Sequence, residues 1–295
     1  MLKRIHTKIL NYFVLVLIFT FSAQAIAQEA ERISYFGASG KYSFKNKLFV
    51  ELLELVLTNT RSEFGEHLLL QSPVRVTQGR AVEMMQQRCE FDLLWLMTSD
   101  EREKALLAVK VPLLKGLQGL RALMIKSENI PIFNNIKSSG DLKGLRAGQG
   151  HDWPDTQILL HSRYNVFPVV NYRALFDMLD MQKFDYFPRS VTEIADELKL
   201  HSDKGLTYVP HILLRYQAPI YFFVCPDKPL LAKRIKMGLE KAIDDGTFDN
   251  LLRESKEFKA FEQLGGLAGK TIFDLKNPLL LSSELPKGKR YWLVE

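Results

Sequence analysis

The stretch Phe91-Asp-Leu-Leu-Trp-Leu-Met-Thr-Ser-Asp-Glu-Arg102 decides how this chain is organised. Its first half, Leu93 to Met97, is an apolar run of strand length, which predicts a buried parallel strand. Its second half is polar and brings Thr98, Ser99 and Arg102 to the end of that strand. Ligands of open α/β sheets bind outside the carboxyl ends of strands, and arginine offers a rigid donor fork for carboxylates. The same residues also fit an ordinary helix start, with Ser99 as N-cap and Arg102 on the surface.

The residues before this stretch predict alternating strands and helices. Ile33 to Phe36 reads as a strand, and apolar residues from Phe49 to Leu57 recur at the spacing of an amphipathic helix. Val74 to Val76 reads as a short second strand, and a second helix begins at Gly79. This β-α-β-α-β order is typical of a mostly parallel sheet flanked by helices.

A similar helix-to-strand unit occurs twice in the chain. Ala81 to Met85 leads into Phe91-Asp92, and Ala174 to Met178 leads into Phe184-Asp185 at nearly the same spacing. The repetition supports two lobes built on one plan, although matches of this length also arise by chance. In the second unit, Arg189 follows the predicted strand, which again places an arginine near a strand end.

A glycine-rich turn, Gly148-Gln-Gly150-His-Asp152-Trp153-Pro154, follows another predicted strand. Asp152 is predicted as the N-cap of a helix that has Pro154 in its first turn. Backbone N–H groups at such a helix start attract anions. Trp153, beside the turn, is the tryptophan that we expect to line a ligand cleft, whereas Trp95 lies within a buried strand.

The N-terminus has the pattern of a secretory signal peptide. Basic residues precede an apolar run from Ile9 to Phe21, and the small residues of Ser22 to Ala27 provide a cleavage site. We therefore predict a signal peptide over residues 1–27 and a periplasmic location. The apolar run is short for a membrane-spanning helix, so we expect no stable membrane insertion after cleavage.

Charge and cysteine content narrow the function classes. The formal charge of +6 falls to +3 when Lys3, Arg4 and Lys8 leave with the signal peptide, and no basic run with interleaved aromatics suggests nucleic-acid binding. Cys89 and Cys225 are the only cysteines; the sequence leaves open whether they form a disulfide or remain buried thiols. No Cys/His spacing predicts a metal site, and no cofactor is expected.

With these motifs in place, the chain resembles the family-3 extracellular solute-binding proteins, the periplasmic binding proteins of polar amino-acid importers. The likeness covers most of Ile33 to about Leu252 and depends on the order and spacing of its motifs. These motifs are Gly79 to Met84 with Phe91-Asp92, Ser99-x-Glu101-Arg102, Val111-Pro112, Leu142 to Gly150, Phe184-Asp185, and Leu231 to Gly246 with Phe248.

The resemblance implies an α/β fold of the type II periplasmic binding class. Two lobes, each with a mostly parallel sheet flanked by helices, are joined by two crossing strands and close on a solute. We assign residues 28–124 and 220–295 to the first lobe and residues 125–219, inserted between them, to the second.

The resemblance also implies roles for individual residues. Arg102 is expected to clamp the α-carboxylate of an amino acid, Tyr42 to cover the ligand, and the turn at Gly150 to donate groups from the second lobe. Together with the residues singled out from the sequence, the predicted ligand-binding set is Tyr42, Thr98, Ser99, Arg102, Gly150, Asp152, Trp153, Tyr186 and Arg189.

This sequence departs from the family pattern where a ligand ammonium would bind. The carboxylate expected near Ser190 is absent, Arg189 lies beside that position, and His151-Asp152 stands where the family has a hydroxyl. Either Asp152 accepts the ammonium, or the solute carries extra negative charge shared between Arg102 and Arg189.

The predicted function is capture of a small anionic or zwitterionic, amino-acid-like solute by a monomeric protein that serves an ABC-type importer. One alternative is a periplasmic dehydratase or lyase on the same fold, with His151, Asp152 and Asp185 as acid or base candidates. Another is a binding module that reports its solute to a sensor. The sequence alone does not distinguish transport from sensing.

Overall fold

A computed structural model describes residues 29–280 and 284–294 of the chain. The predicted signal peptide, residues 1–27, lies outside the described residues. Within the described ranges, no helix is both long and apolar enough to cross a membrane. The described chain folds into two sheets with helices packed against them, so the predicted two-lobed α/β architecture is confirmed.

The strands are β1 Glu31–Tyr35, β2 His67–Gln71, β3 Leu93–Met97, β4 Leu107–Val109, β5 Leu120–Lys126, β6 Arg146–Gly150, β7 Asn165–Val169, β8 Tyr186–Ser190, β9 Leu206–Arg215, β10 Ile220–Val224 and β11 Thr271–Asp274. The α-helices are α1 Lys47–Thr58, α2 Arg61–Phe64, α3 Gln78–Arg88, α4 Asp100–Ala105, α5 Ile130–Asn134, α6 Ser139–Lys143, α7 Pro154–His161, α8 Tyr172–Asp180, α9 Ile194–Leu200, α10 Pro229–Asp244, α11 Thr247–Glu254 and α12 Lys256–Gln263. Short 3-10 helices cover Gly40–Asn46, Leu117–Gly119, Ser127–Asn129, Ser202–Lys204 and Lys289–Tyr291.

The first lobe is built on the sheet β2-β1-β3-β10-β4. β1 runs parallel to β2 and β3, whereas β10 runs antiparallel to β3 and β4 because the chain enters it from the other lobe. The predicted strand Leu93 to Met97 is confirmed residue for residue. The predicted second strand at Val74 to Val76 is wrong, since β2 is the apolar run Leu68 to Leu70 with its two neighbours.

The second lobe is built on the sheet β11-β9-β5-β8-β6-β7. β6 runs parallel to β7 and β8, and β5 runs antiparallel to β8 and β9. In each sheet all strands but one therefore run in the same direction, so the predicted mostly parallel sheets are confirmed. Each contains one strand that enters from the opposite lobe and runs against its neighbours.

Two features of the strands differ from the predicted lobe boundaries. β5 pairs along its length with β8 and β9 of the second sheet, so the chain changes lobe before Leu120 rather than after residue 124. Residues 220–295 were all assigned to the first lobe, but β11 pairs with β9 in the second sheet. The extra strand covers an edge of β9 that would otherwise expose unpaired backbone groups.

Helix α1 shows why the first lobe holds together. Its apolar residues at Phe49, Leu52, Leu53 and Val56 follow helical spacing, and all are buried against α10 and the sheet. Burial of each such side chain contributes about 1.5–3 kcal/mol. At Gly238 of α10 a Cβ would lie 2.4 Å from the Val56 carbonyl oxygen, so glycine permits the close approach of the two helices.

The cysteines resolve the alternative that the sequence left open. Cys89 and Cys225 form a disulfide, with their Cα atoms 5.5 Å apart. The bond joins the end of α3 to the end of β10, and both elements belong to the first lobe. It therefore fastens the strand that returns from the second lobe onto the first.

Candidate functional site

A cleft of about 1090 Å³ lies between the two lobes and is lined by residues of both. The first lobe contributes the 3-10 helix Gly40–Asn46 and the ends of β1 and β3. The second lobe contributes the turn after β6, the start of α8 and the residues around the end of β8. These are strand ends and loop tips, where α/β folds bind their ligands.

Aromatic side chains form a wall of the cleft on each side. In the first lobe, Trp95 stacks on Phe49 with ring centroids 5.2 Å apart. In the second lobe, Trp153 lies 5.8 Å from Tyr172 and is stacked at 6.4 Å on Phe187. Trp95 therefore lines the cleft from its place in β3, whereas the sequence predicted that it lies in the core.

Arg121 on β5 lines the cleft with a guanidinium that is only partly hydrogen-bonded. Its Nε donates to the Tyr216 hydroxyl at 2.8 Å, and its Nη2 lies 2.7 Å from Asp155 Oδ1. The Tyr216 hydroxyl in turn donates to Asp155 Oδ1 at 2.5 Å. Nη1 is buried and has no hydrogen-bond acceptor among the described residues. Leaving such a donor unpaired costs about 1–3 kcal/mol, more for a charged group.

Arg121 nevertheless stays protonated. Burial lowers the pKa of a guanidinium, but Asp155 and Tyr216 outweigh that effect and raise the pKa of Arg121 above its ordinary value. The same burial raises the pKa of the Tyr216 hydroxyl, which therefore stays protonated. The cleft holds a permanent cation whose Nη1, with its two N–H donors, is uncommitted among the described residues.

Arg189 also lines the cleft, as the sequence predicted, but its guanidinium is paired within the second lobe. Its Nε and Nη2 donate to the two carboxylate oxygens of Glu197 at 2.7 and 2.6 Å. Nη2 also donates to Glu193 at 2.8 Å, and the group lies over the rings of Trp153 and Phe187. These partners satisfy most of its donors before any solute is considered.

Lys45, a residue of the first lobe, contacts the two glutamates that pair with Arg189. Its Nζ lies 2.6 Å from Glu197 Oε1, 3.1 Å from Glu193 Oε1 and 3.0 Å from the Tyr172 hydroxyl. Lys45, Arg189, Glu193 and Glu197 together form what we call the interlobe ion cluster. Two cations and two carboxylates make it neutral, and Glu197 is fully buried.

Electrostatics keep all members of the interlobe ion cluster ionised. Burial alone lowers the pKa of Lys45, but Glu193 and Glu197 reverse this and raise it well above its usual range. Burial alone raises the pKa of Glu197, but Arg189 and Lys45 hold it well below its usual range. Each charge is therefore stabilised by its partners in the cluster, and of these Lys45 alone belongs to the first lobe.

Two further contacts join the lobes beside the cleft. The hydroxyl of Tyr42 lies 3.1 Å from His201 Nε2, and its ring meets the edge of Tyr172. Asp152 Oδ2 accepts a hydrogen bond from the backbone N–H of Gly79 at 2.9 Å. The structure is thus a closed arrangement in which residues of one lobe hold residues of the other.

The predicted N-cap role of Asp152 is wrong. Trp153 occupies the N-cap position of α7, and no side chain caps that helix. Asp152 lies one residue too early, and its carboxylate instead meets the first turn of α3 in the opposite lobe. Gly150 permits this turn, because a Cβ there would lie 2.4 Å from the Trp153 ring.

Arg102, Thr98 and Ser99 are not among the described residues that line the cleft. Ser99 is the N-cap of α4 and accepts from the Arg102 backbone N–H at 3.2 Å, which confirms that part of the helix-start reading. Thr98 donates to Glu103 at 2.7 Å. Arg102 is buried rather than exposed; it donates to the Met97 carbonyl at 2.7 Å and to Gln78 at 3.3 Å.

Arg102 nevertheless contributes positive charge behind the cleft. Burial lowers its pKa to about 10, and the more distant Asp152 and Asp155 only partly compensate. No carboxylate among the described residues lies within ion-pair distance of this guanidinium. Its predicted role as a direct carboxylate clamp stays a prediction.

Tyr186 lies in the core of the second lobe and does not line the cleft in the described structure. Its ring meets the edge of Phe133 at 6.0 Å. Side chains alternate along a strand, so Phe187 and Arg189 lie on the face of β8 opposite to Tyr186. Of the predicted set, the cleft brings together Tyr42, Gly150, Asp152, Trp153 and Arg189.

Sequence reasoning missed Arg121, Lys45 and Glu197. The available signal for Arg121 was a charged residue inside the otherwise apolar strand Leu120 to Ile125, since buried charges require a partner. The two carboxylate partners of Lys45 lie more than 140 positions along the chain, and nothing local reveals them.

Comparisons with known proteins identify the fold. No family model and no curated protein matches this chain. Among solved structures, an ancestral arginine-binding protein bound to arginine is 18% identical, with a TM-score of 0.54, over 81% of this chain and 100% of the other. The chain has the type II periplasmic binding fold.

Two more solved structures share this periplasmic binding fold. A periplasmic binding protein of Salmonella typhimurium with high arginine specificity is 13% identical, with a TM-score of 0.55, over 79% of this chain and 99% of its own. A histidine kinase sensor domain with similarity to periplasmic binding proteins is 12% identical, with a TM-score of 0.55, over 76% and 95%. The fold thus occurs both in periplasmic binding proteins and in a histidine kinase sensor domain.

Proposed function

We propose that this protein is a periplasmic solute-binding protein that captures a small anionic or zwitterionic solute between its lobes. The observation that carries the proposal is the uncommitted Nη1 of Arg121, a buried cationic donor at the wall of the cleft. A carboxylate or carbonyl oxygen of a solute would satisfy that donor and recover the free energy lost in burying it.

One such contact does not account for useful affinity. A hydrogen bond to a charged group contributes about 1.5–3 kcal/mol, whereas micromolar affinity requires about 8 kcal/mol. The remaining free energy would come from the apolar faces of Trp95 and Trp153 and from hydroxyls beside Arg121. Ser190 pairs with Arg121 across β5 and β8, and its hydroxyl lies 2.8 Å from that of Thr192, which lines the cleft.

The proposed activity is binding without chemistry. An enzyme on this fold would need an uncommitted acid or base in the cleft. Asp152, Asp155 and Glu193 line it, and each already accepts hydrogen bonds or holds an ion pair. This engagement supports binding over proton transfer beside Arg121, where Asp155 lies. Asp196 and Glu257 also line the cleft and hold no ion pair among the described residues, so they are not engaged in this way.

An ABC-type permease is the partner that we propose for the loaded protein. A trans-acting sensor is a second candidate, because a kinase sensor domain matches the chain as well as the soluble arginine-binding proteins do. The two candidates require the same cleft chemistry and differ only in which membrane protein binds the closed form.

Thermal-shift screening of the purified protein against carboxylic acids, amino acids and short peptides tests the proposal. A solute at about 100 times its Kd stabilises the folded state by about 2.7 kcal/mol. We expect at least one anionic compound to raise the Tm, and the Arg121→Met variant to lose that response. Arg215→Met is the matched control, since Arg215 is an outer arginine of the same lobe paired with Asp274. No response from any compound, or full response in Arg121→Met, would overturn the proposal.

A further inference from the structure

We infer that Lys45 determines specificity by taking the place of a ligand ammonium, so that the cleft selects carboxylic acids without an α-amino group. This inference rests on the solute-binding function proposed above. It names the class of solute and the residue of this chain that excludes the competing class.

The first step concerns the charge that Lys45 neutralises. Within the second lobe, Arg189, Glu193 and Glu197 carry one positive and two negative charges. This trio, with the Tyr172 hydroxyl, forms a seat for one more cation that can donate several hydrogen bonds. Lys45 meets the three oxygens of this seat at 2.6, 3.0 and 3.1 Å, as a solute ammonium would.

The second step concerns which carboxylates an α-ammonium could reach. A solute carboxylate on Arg121 would hold an α-ammonium one carbon away, close to the acids whose charge acts on Arg121. Those acids are Asp155 and Glu193. Asp155 Oδ1 accepts from both Arg121 and Tyr216, and Glu193 pairs with both Arg189 and Lys45. An α-ammonium would therefore enter beside acids that other donors already neutralise.

The third step concerns competition. Lys45 is tethered to the first lobe and reaches the seat in the closed form seen here, where Glu197 is fully buried. An intramolecular partner acts at an effective concentration in the millimolar range, far above that of a scarce solute. A free amino acid would have to displace this lysine, whereas an acid without the amino group would not.

The inference concerns the α-position only. Asp196 and Glu257 also line the cleft, and neither holds an ion pair among the described residues. The acids with the largest effect on the charge of Arg121 are Asp155 and Glu193 rather than these two. The inference therefore makes no prediction about a distal amine on a longer solute.

The first experiment uses ligand pairs that differ only in the α-amino group, such as succinate with L-aspartate and glutarate with L-glutamate. Titration calorimetry of the wild-type protein should show the acid without the amino group binding at least about tenfold more tightly in the pair that binds. The Lys45→Met variant should reverse or abolish this preference, and Lys47→Met is the matched control because Lys47 is an exposed neighbour paired with Glu51. Equal or tighter binding of the amino member by wild type overturns the inference and leaves the proposed function standing.

The second experiment tests the seat without any carboxylic solute. In Lys45→Ala, methylammonium should raise the Tm more than an equal concentration of tetramethylammonium, which has no N–H donor. The wild type and the double variant Lys45→Ala/Glu197→Gln should show no such difference. Absence of this rescue overturns the inference whatever the solute is. Rescue together with no response of the wild type to any acid supports the seat and overturns only the proposed capture of a solute.

Discussion

Asp152 of the second lobe accepts a hydrogen bond from the backbone N–H of Gly79 in the first lobe, with 2.9 Å between Oδ2 and the nitrogen. Gly79 lies in the first turn of α3, where backbone N–H groups lack helical partners and the helix dipole is positive. A carboxylate of one lobe thus caps a helix of the other. This bond can form only in the closed arrangement.

Removal of that carboxylate should therefore weaken closure. We expect Asp152→Ala to destabilise the closed form by about 1 kcal/mol, the usual value of a capping interaction, and Asp152→Asn to cost less because an acceptor remains. Small-angle scattering would detect opening as a larger radius of gyration. Asp141→Ala is the control, since Asp141 belongs to a capping box inside the second lobe. The control should lower the Tm without changing the radius of gyration; an equal effect of both variants on the radius would contradict the prediction.

The effect of a substitution at Gly79 on stability should depend on Asp152, its partner across the cleft. A Cβ at this position would lie 3.2 Å from Asp152 Oδ2, so Asp152 would have to shift. Alanine within a helix otherwise gains about 1 kcal/mol over glycine. We expect Gly79→Ala to stabilise the Asp152→Ala variant by about that amount and the wild type by much less. Denaturant unfolding of the four proteins in this cycle measures the difference, and additive effects would show that the two residues do not interact.

The pH dependence of stability should report on His201. Burial lowers the pKa of His201, and the charges of Lys41 and Lys204 lower it further. A histidine with a lowered folded-state pKa stabilises the fold above its ordinary pKa of about 6.5, and this contribution is lost as the pH falls through the folded-state value. Glu197 faces the same region, but its pKa is held well below its usual range, so it stays ionised in this window.

We therefore expect the Tm of the wild type to fall between about pH 7 and pH 5, and that of His201→Gln to fall less. Tyr42→Phe serves as a comparison, because it removes the hydroxyl 3.1 Å from Nε2 and keeps the titrating ring. A wild-type curve that superimposes on that of His201→Gln over this range would refute the assignment.

The disulfide should stabilise the first lobe without influencing affinity. It links residues 136 positions apart, and loss of a native bond of this kind costs about 2–5 kcal/mol. We expect Cys89→Ser/Cys225→Ser to lose that much free energy of unfolding in denaturant titrations. Neither cysteine is among the described residues that line the cleft, so the affinity for any solute found should change by less than about threefold. A large loss of affinity would show that the bond also positions the cleft.

The sequence predicted the parts of the fold that depend on local patterns. β3 matches its predicted apolar run residue for residue, since a strand buried on both faces leaves a continuous signal. The second strand was misplaced because Val74 to Val76 alternates like a strand. The run His67 to Gln71 is the one that pairs with β1, and local propensity does not show which run reaches that edge.

The site was harder to predict, because its partners are distant in sequence. Arg121 meets Tyr216 across 95 positions, and Lys45 meets Glu197 across 152. The sequence around Arg102 resembles a binding motif, and this resemblance predicted Arg102 as the carboxylate clamp. The structure instead engages that guanidinium with the carbonyl of Met97.

The two arginines should therefore respond differently to substitution. Arg102 ties the start of α4 to the end of β3, and loss of a hydrogen bond from a charged group costs about 1.5–3 kcal/mol. We expect Arg102→Met to lower the free energy of unfolding by that amount and to weaken solute binding less than Arg121→Met does. Calorimetry at a temperature where both variants are folded separates affinity from stability. If Arg102→Met abolishes binding while its fold is intact and Arg121→Met does not, the carboxylate clamp is Arg102, as its sequence motif predicted.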